Sequence, residues 1–291
     1  MKMFYDIAAP AKLNLFLHIT GRRSDGYHLL QSVFMLIDWC DTLHFDLRAD
    51  GKISREDLGT PLPVDDLIVR AARALKAASS SPFGVHIGIE KRIPTQAGMG
   101  GGSSDAASTL LALNRLWKLD YCLEKLTQIG FQLGADVPFF LAGHNAWVEG
   151  IGEKMSPVAL PAARFLVVKP AEGLETRLIF SDPCLKRNSE TAIISGFAAD
   201  AFGFGRNDLQ SVAQRLCPGV TQALEWLALH GLSGRMTGSG SAVFAQVLQE
   251  FDLPGGPSAF QVRLCNSLAV HPLVGWASSD SLSGKLSVGG V

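Results

Sequence analysis

The stretch 98-GMGGGSSDAA-107 places glycine at four of five consecutive positions, adds two serines and an aspartate, and runs directly into 106-AASTLLALNRLWKL-119, a segment of good helix formers. The start of a helix leaves backbone N–H groups unpaired under a partial positive charge, which suits an anion where the approach is sterically open. Gly98, Gly100, Gly101 and Gly102 remove the Cβ atoms that would block phosphate oxygens, and they permit positive φ. Ser103 and Ser104 add hydroxyl donors or cap the helix, and Pro94 fixes the entry to the loop. Neither the P-loop spacing GxxxxGK[ST] nor the Rossmann spacing GxGxxG is met. The expectation is a seat for a di- or triphosphate, weighed against a plain flexible turn ahead of a helix.

On the N-terminal side of the loop, 85-VHIGIEK-91 alternates as a strand, and Asp66 stands where it caps a helix through 67-LIVRAARALKAA-78. Leu13, Leu15, Leu17 and Ile19 alternate with Lys12, Asn14, Phe16 and His18, the period of a strand with one buried face. The DG turn of 21-GRRSDG-26 then leads to a β-rich run, Tyr27 to Leu47, expected to pair antiparallel with it. On the C-terminal side come a helix through 123-LEKLTQIGFQLG-134, a short apolar helix in 134-GADVPFFLAG-143 with Asp136 at its start, and a hairpin over 146–158 around Gly150 and Gly152. A strand at 165–169, a helix at Thr176–Phe180, helices within 207–230 and a strand at 242–247 follow. We place a boundary near 155–162, giving lobes 1–158 and 159–291, and expect little order in the small, polar stretch 277–291.

The chain has 291 residues, 47% hydrophobic and 18% charged, enough for sizeable cores and incompatible with a disordered chain. A net charge of −1 lacks the positive excess of a protein built to grip nucleic acid. Five scattered cysteines without a CxxC pair argue for reduced core or boundary residues rather than disulfides or zinc, and the seven histidines show no ligand spacing, so no structural metal is expected. No run approaches 18 apolar residues, so no membrane partner is expected and a cytoplasmic location is the simplest reading.

Three motifs in order, 9-APAKLNLFLHITGRRSDGYH-28, 94-PTQAGMGGGSSDAA-107 and 236-MTGSGSAVFA-245, resemble those of the GHMP kinases, with Met99 where the family usually has Leu. Together with GYH and 133-LGADVPFFL-141 they are similar to the branch that acts on a cytidine-diphosphate-linked methylerythritol in non-mevalonate isoprenoid synthesis. The resemblance implies a two-lobed α+β fold: an N-terminal domain like a ribosomal-protein domain and a C-terminal ferredoxin-like domain. It also implies phosphoryl transfer from ATP, accompanied by Mg2+, to the 2-hydroxyl of a small-molecule substrate, by a monomer or weak homodimer.

The resemblance assigns roles residue by residue. Asp136, otherwise an ordinary helix cap, matches the catalytic base. Lys12, otherwise a solvated strand lysine, holds that carboxylate ionised, and Asn14 on the same strand face positions the substrate. Tyr27 and His28 match residues lining a cytidine site, with Phe180 as the opposite aromatic face. Gly238, Ser239 and Gly240 bring backbone amides to the substrate diphosphate or the moving phosphoryl group. Pro94, Gly98, Met99, Gly100, Gly101, Gly102, Ser103, Ser104 and Asp105 form the ATP loop, with Lys91 close by. Asp66 stands where the family often has an Asn near adenine; it keeps the acceptor oxygen and loses the amide donors. Two alternatives stay open: a GHMP kinase for homoserine or mevalonate, against which GYH and Phe180 argue, and a non-catalytic nucleotide or RNA binder, against which the charge and the Lys12–Asp136 pair argue.

Overall fold

The computed structural model describes residues 3–249 and 257–279; most of the stretch 277–291 lies outside them. Two long strands carry the first lobe. β1 (Met3–Arg22) and β2 (His28–Arg48) pair antiparallel along nearly their whole length, with irregularities in register after Phe4, Pro10, Asn14 and Ile19. β3 (Ile53–Asp57) lies parallel to β4 (Gly84–Glu90), and α1 (Leu67–Ala78) connects them. β4 in turn pairs antiparallel with β2.

After the glycine loop come α2 (Gly101–Leu116), α3 (Leu123–Phe131) and α4 (Val137–Ala142), then the hairpin β5 (Ala146–Gly150) and β6 (Lys154–Pro157). The four helices bury one face of this sheet through Phe34, Leu36, Phe45, Ile87, Leu110, Leu113 and Phe139. α2 lies at the centre and is buried on nearly every side, so the small Gly, Ser and Ala residues of its first half are dictated by packing space more than by helix propensity.

The second lobe begins with β7 (Arg164–Pro170) and runs through α5 (Thr176–Ser181), α6 (Ile194–Ala199), α7 (Gln210–Leu216) and α8 (Pro218–Leu229) to β8 (Arg235–Met236), β9 (Val243–Val247) and β10 (Phe260–Leu268). Its strands form an antiparallel set in the order β10-β7-β9-β8, with α7 and α8 packed against it through Val212, Val220 and Leu227. A third core joins the lobes: Leu13, Leu15, Met35 and Ile37 from the first meet Phe165, Val167 and Phe244 from the second. β10 also pairs with β2 at Ser267 and Leu268, and Leu273 and Trp276 pack back on the first lobe's core.

This inter-lobe core corrects the expectation of a strand with one buried face. Lys12, Asn14, Phe16 and His18 are all buried, because the side that reads as polar is covered by the glycine loops and the second lobe.

Candidate active site

Lys12 is the hub of the site. Its backbone N–H donates to the Met99 carbonyl at 3.0 Å, and its ammonium donates to the Gly98 carbonyl at 3.1 Å and to Asn14 Oδ1 at 2.5 Å. The ammonium also lies 4.7 Å above the Phe34 ring and 3.7 Å from Asp136 Oδ2. Burial pushes the Lys12 pKa below its ordinary value, while the Asp136 charge pulls it back up. Asp136 occupies the position before α4, yet its side chain makes no capping bond and stays about a third exposed. Its carboxylate is therefore available to a ligand.

The glycine loops are tied to one another. The Ser241 and Ala242 N–H groups donate to the Gln96 and Ala97 carbonyls at 3.1 and 3.3 Å. Thr237 Oγ1 accepts the Asn14 N–H at 2.8 Å, and Asn207 Nδ2 donates to the Met236 and Gly238 carbonyls. A Cβ on Gly98 (φ +71°) would stand 2.2 Å from the Thr237 carbonyl oxygen, and one on Gly238 would stand 2.5 Å from the Gly98 carbonyl oxygen. These two glycines are thus required by loop-on-loop packing, a reason different from the open approach to phosphate read from the sequence. Gly100 (φ +71°) takes the cap position of α2 with no side-chain cap, leaving the first N–H groups of that helix without a side-chain acceptor.

A cavity of about 870 Å³ runs between the lobes. Its wall includes Lys12, Asn14, Asp66, Lys91, Pro94, Asp105, Asp136, Phe180 and the residues Gly98–Ser103 and Gly238–Gly240. The structure therefore brings together most of the residues singled out in the sequence, with several corrections. Ser104 is fully buried and off this wall, since its place in the first turn of α2 points it into the protein. Met99 buries its side chain in the inter-lobe core, so it presents backbone. The Asn14 amide accepts from the Lys12 ammonium and donates one of its N–H groups to Ser32 Oγ at 2.9 Å, so it supports Lys12 while it lines the cavity. Asp66 caps α1 by accepting the Val69 N–H and pairs with Arg55 at 2.7 Å, both through Oδ1, so Oδ2 is the oxygen left for adenine. Ser239 Oγ bonds Thr176 Oγ1 at 2.7 Å.

Tyr27 and His28 do not line the cavity. Tyr27 is 61% exposed, whereas His28 packs beside Phe180 with ring centroids 5.1 Å apart, at the cavity's edge. Burial, with Arg187 and Arg22 nearby, keeps the His28 pKa below its ordinary value.

Lys91 reaches the wall, but its ammonium is shared by Asp41 and by Asp105 at 2.7 Å. Burial works against its charge and the two carboxylates outweigh that, holding its pKa above the usual lysine value. Burial pushes Asp105 up to about 8 against the pull of Lys91, and the neighbouring Asp41 adds to the rise. Asp41 also accepts the Arg92 and Ile93 N–H groups at 2.6 and 2.8 Å, anchoring the entry to the loop. Asp41, Arg55, Thr237 and Arg187 were missed by sequence reasoning. Asp41, Thr237 and Arg187 reach Lys91, Asn14 and His28 across long stretches of chain, whereas Arg55 pairs with Asp57 and Asp66 close by, and no motif spacing announces any of the four.

A buried ammonium and a free carboxylate beside an uncapped helix start, all facing one cavity, define a phosphotransferase. The chain belongs to the GHMP kinases: residues 66–144 match the GHMP kinases N terminal domain and residues 190–251 the GHMP kinases C terminal domain. It is 85% identical to the 4-diphosphocytidyl-2-C-methyl-D-erythritol kinase of Albidiferax ferrireducens, over 97% of this chain and 99% of the relative. It is 65% identical to the enzyme of the same name from Variovorax paradoxus, over 96% of this chain and 100% of the relative. A crystal structure of 4-(cytidine 5'-diphospho)-2C-methyl-D-erythritol kinase superimposes with a TM-score of 0.77 at 32% identity, covering 91% of this chain and 99% of that one. The mevalonate kinase of Methanococcus jannaschii, with a TM-score of 0.66 at 14% identity, shares the fold. Membership of this kinase family carries with it the use of ATP and a small-molecule acceptor. Among the described residues no helix is long and apolar enough to cross a membrane.

Proposed function

We propose that the protein transfers the γ-phosphoryl group of ATP to the 2-hydroxyl of 4-diphosphocytidyl-2-C-methyl-D-erythritol, releasing ADP. The observation that carries this reading is the Lys12–Asp136 pair at 3.7 Å on the same wall as the open start of α2. Asp136 takes the proton from the acceptor hydroxyl as its oxygen bonds to the γ-phosphorus and the bond to the β-phosphate oxygen breaks. Lys12, held in place by Asn14 and the Gly98 carbonyl, favours negative charge on the attacking oxygen. The unpaired N–H groups at the start of α2 receive the ATP phosphates, and the Gly238 and Ser239 amides face the transferring group, the Gly240 N–H being spent on the Thr237 carbonyl at 2.9 Å. Phe180 on the cavity wall, with His28 packed beside it just outside that wall, receives the cytidine ring.

A magnesium ion fits this wall as a partner of the nucleotide. Asp105 Oδ1 is buried without a hydrogen-bond partner, Ser103 stands on the same wall, and among the described residues no group of three acidic, His or Cys side chains forms a site of its own. Asp105 and Ser103 would hold an ion coordinated chiefly by phosphate and water, and when bound it supplies neutralisation of phosphate charge. We take the lobes to divide at 158/159 and the enzyme to work in the cytoplasm as a monomer or weak homodimer without nucleic-acid or membrane partners. Its five free cysteines and near-zero net charge support that view.

ADP release measured with the cytidine diphosphate alcohol, homoserine and mevalonate in parallel tests the proposal. Turnover is expected with the first alone; turnover with either of the others in its place would overturn it.

A further inference from the structure

Arg187 lies in the turn after α5 and spends its guanidinium on groups around the aromatic end of the cavity. Its Nη2 donates to the Phe180 and Asp182 carbonyls at 3.3 and 2.8 Å, and its Nη1 donates to the Leu185 carbonyl at 3.0 Å. Its Nε donates to His28 Nε2 at 3.0 Å. A guanidinium has only donors, so the nitrogen facing it has to be an acceptor. The His28 ring is then neutral, with its proton on Nδ1, and Nδ1 makes no hydrogen bond to any described residue. One residue thus fixes the tautomer of His28 and, through the Phe180 carbonyl, the segment carrying the aromatic ring packed beside it.

The geometry points to Arg187 as a positioning residue for base selection: it locks His28 as an Nδ1–H donor, which suits the N3 acceptor of cytosine and opposes the N3–H of uracil. This rests on the reading that the cytidine ring meets His28. The pairing itself is a property of the protein without ligand. Among the described residues His28 has Arg187 as its hydrogen-bond partner, so no other group competes to set the tautomer.

The test uses the full chain with 15N-labelled histidine, the His28 signals being assigned by their loss in His28→Gln. In the unliganded protein the His28 Nε2 signal is expected in the unprotonated range and Nδ1 in the protonated range. In Arg187→Met the two tautomers should mix, and in Arg187→Lys, which keeps a donor, the original state should be partly restored. Cytidine and uridine diphosphates are then compared as competitive inhibitors against the alcohol substrate. The preference for the cytidine compound should fall roughly five- to tenfold in Arg187→Met, the size of one hydrogen bond, with the KM for ATP unchanged. A wild-type His28 carrying its proton on Nε2 would overturn the inference, as would an unaltered cytidine preference in Arg187→Met. Failure of the wild-type protein to phosphorylate the alcohol would strike the proposed function and leave the ligand-free tautomer result standing.

Discussion

The Lys12 ammonium and the Asp136 carboxylate meet at 3.7 Å although one belongs to the middle of β1 and the other to the start of α4, and the first is buried while the second is a third exposed. That asymmetry suits a pair in which the cation is a fixed part of the protein and the carboxylate faces the reactant. Asp136→Asn keeps the shape and removes the base, so kcat is expected to fall by about 10² to 10⁴ with little change in either KM. Asp136→Asn also removes the counter-charge from the buried Lys12 ammonium, so a lower melting temperature is expected beside the kinetic loss. Steady-state kinetics and a thermal melt on the same preparation check both halves.

The pH profile follows from Lys12. Burial lowers its pKa and Asp136 offsets only part of that, so the folded value lies below 10.5. Folded protein then releases this proton before the unfolded chain does. The stability cost of the buried ammonium is present at lower pH and is relieved as pH rises through the folded value towards 10.5. Activity runs the other way, since transfer needs the charged form. The kcat/KM profile should fall on the alkaline side with an inflection below 10.5, and in Lys12→Arg that limb should move to higher pH even as the rate drops.

Gly98 and Gly102 separate packing from phosphate access. Gly98→Ala places a methyl against the Thr237 carbonyl in a left-handed conformation, and we expect a loss of about 1–3 kcal/mol in urea unfolding together with weak ATP binding. A Cβ on Gly102 stands 3.4 Å from Leu67 Cδ1, an ordinary contact. Gly102→Ala should therefore fold normally, and any rise in its KM for ATP reports obstruction at the start of α2.

Asp105 carries a second pH signature. Its folded pKa of about 8 lies above the ordinary 3.8, so its contribution to stability is fully present below 3.8 and is lost as pH rises through about 8. Asp105→Asn removes that titration. The stability of the wild type relative to the variant should decline across this interval and level off above it, as read by urea midpoints at several pH values.

Most local elements were legible because their signals are local. Asp66 caps α1 at the expected residue, the hairpin turns around Gly150 and Gly152, and α2 starts from the glycine loop itself, a few residues ahead of the expected helix. Lys12 and Asp136 were found through the resemblance, since nothing in the spacing of either residue reveals the other. β3 and β10 escaped because their stability comes from neighbouring strands: β3 is short and partly exposed, and β10 pairs with β7 and the middle of β2. The burial of Asn14 and Ser104 was illegible for a related reason. Asn14 is covered by segments far away in the chain and holds Lys12, and Ser104 is turned into the protein by its place in the first turn of α2, where its hydroxyl finds no partner among the described residues.

Phosphorus NMR of the wild-type protein incubated with ATP and 4-diphosphocytidyl-2-C-methyl-D-erythritol tests the central claim most directly. The account predicts one new phosphomonoester signal, on the tertiary 2-hydroxyl and stoichiometric with ADP, and its near absence in Asp136→Asn. A phosphoryl group found on a different hydroxyl, released to water as inorganic phosphate, or transferred equally well by the Asp136→Asn protein would contradict it.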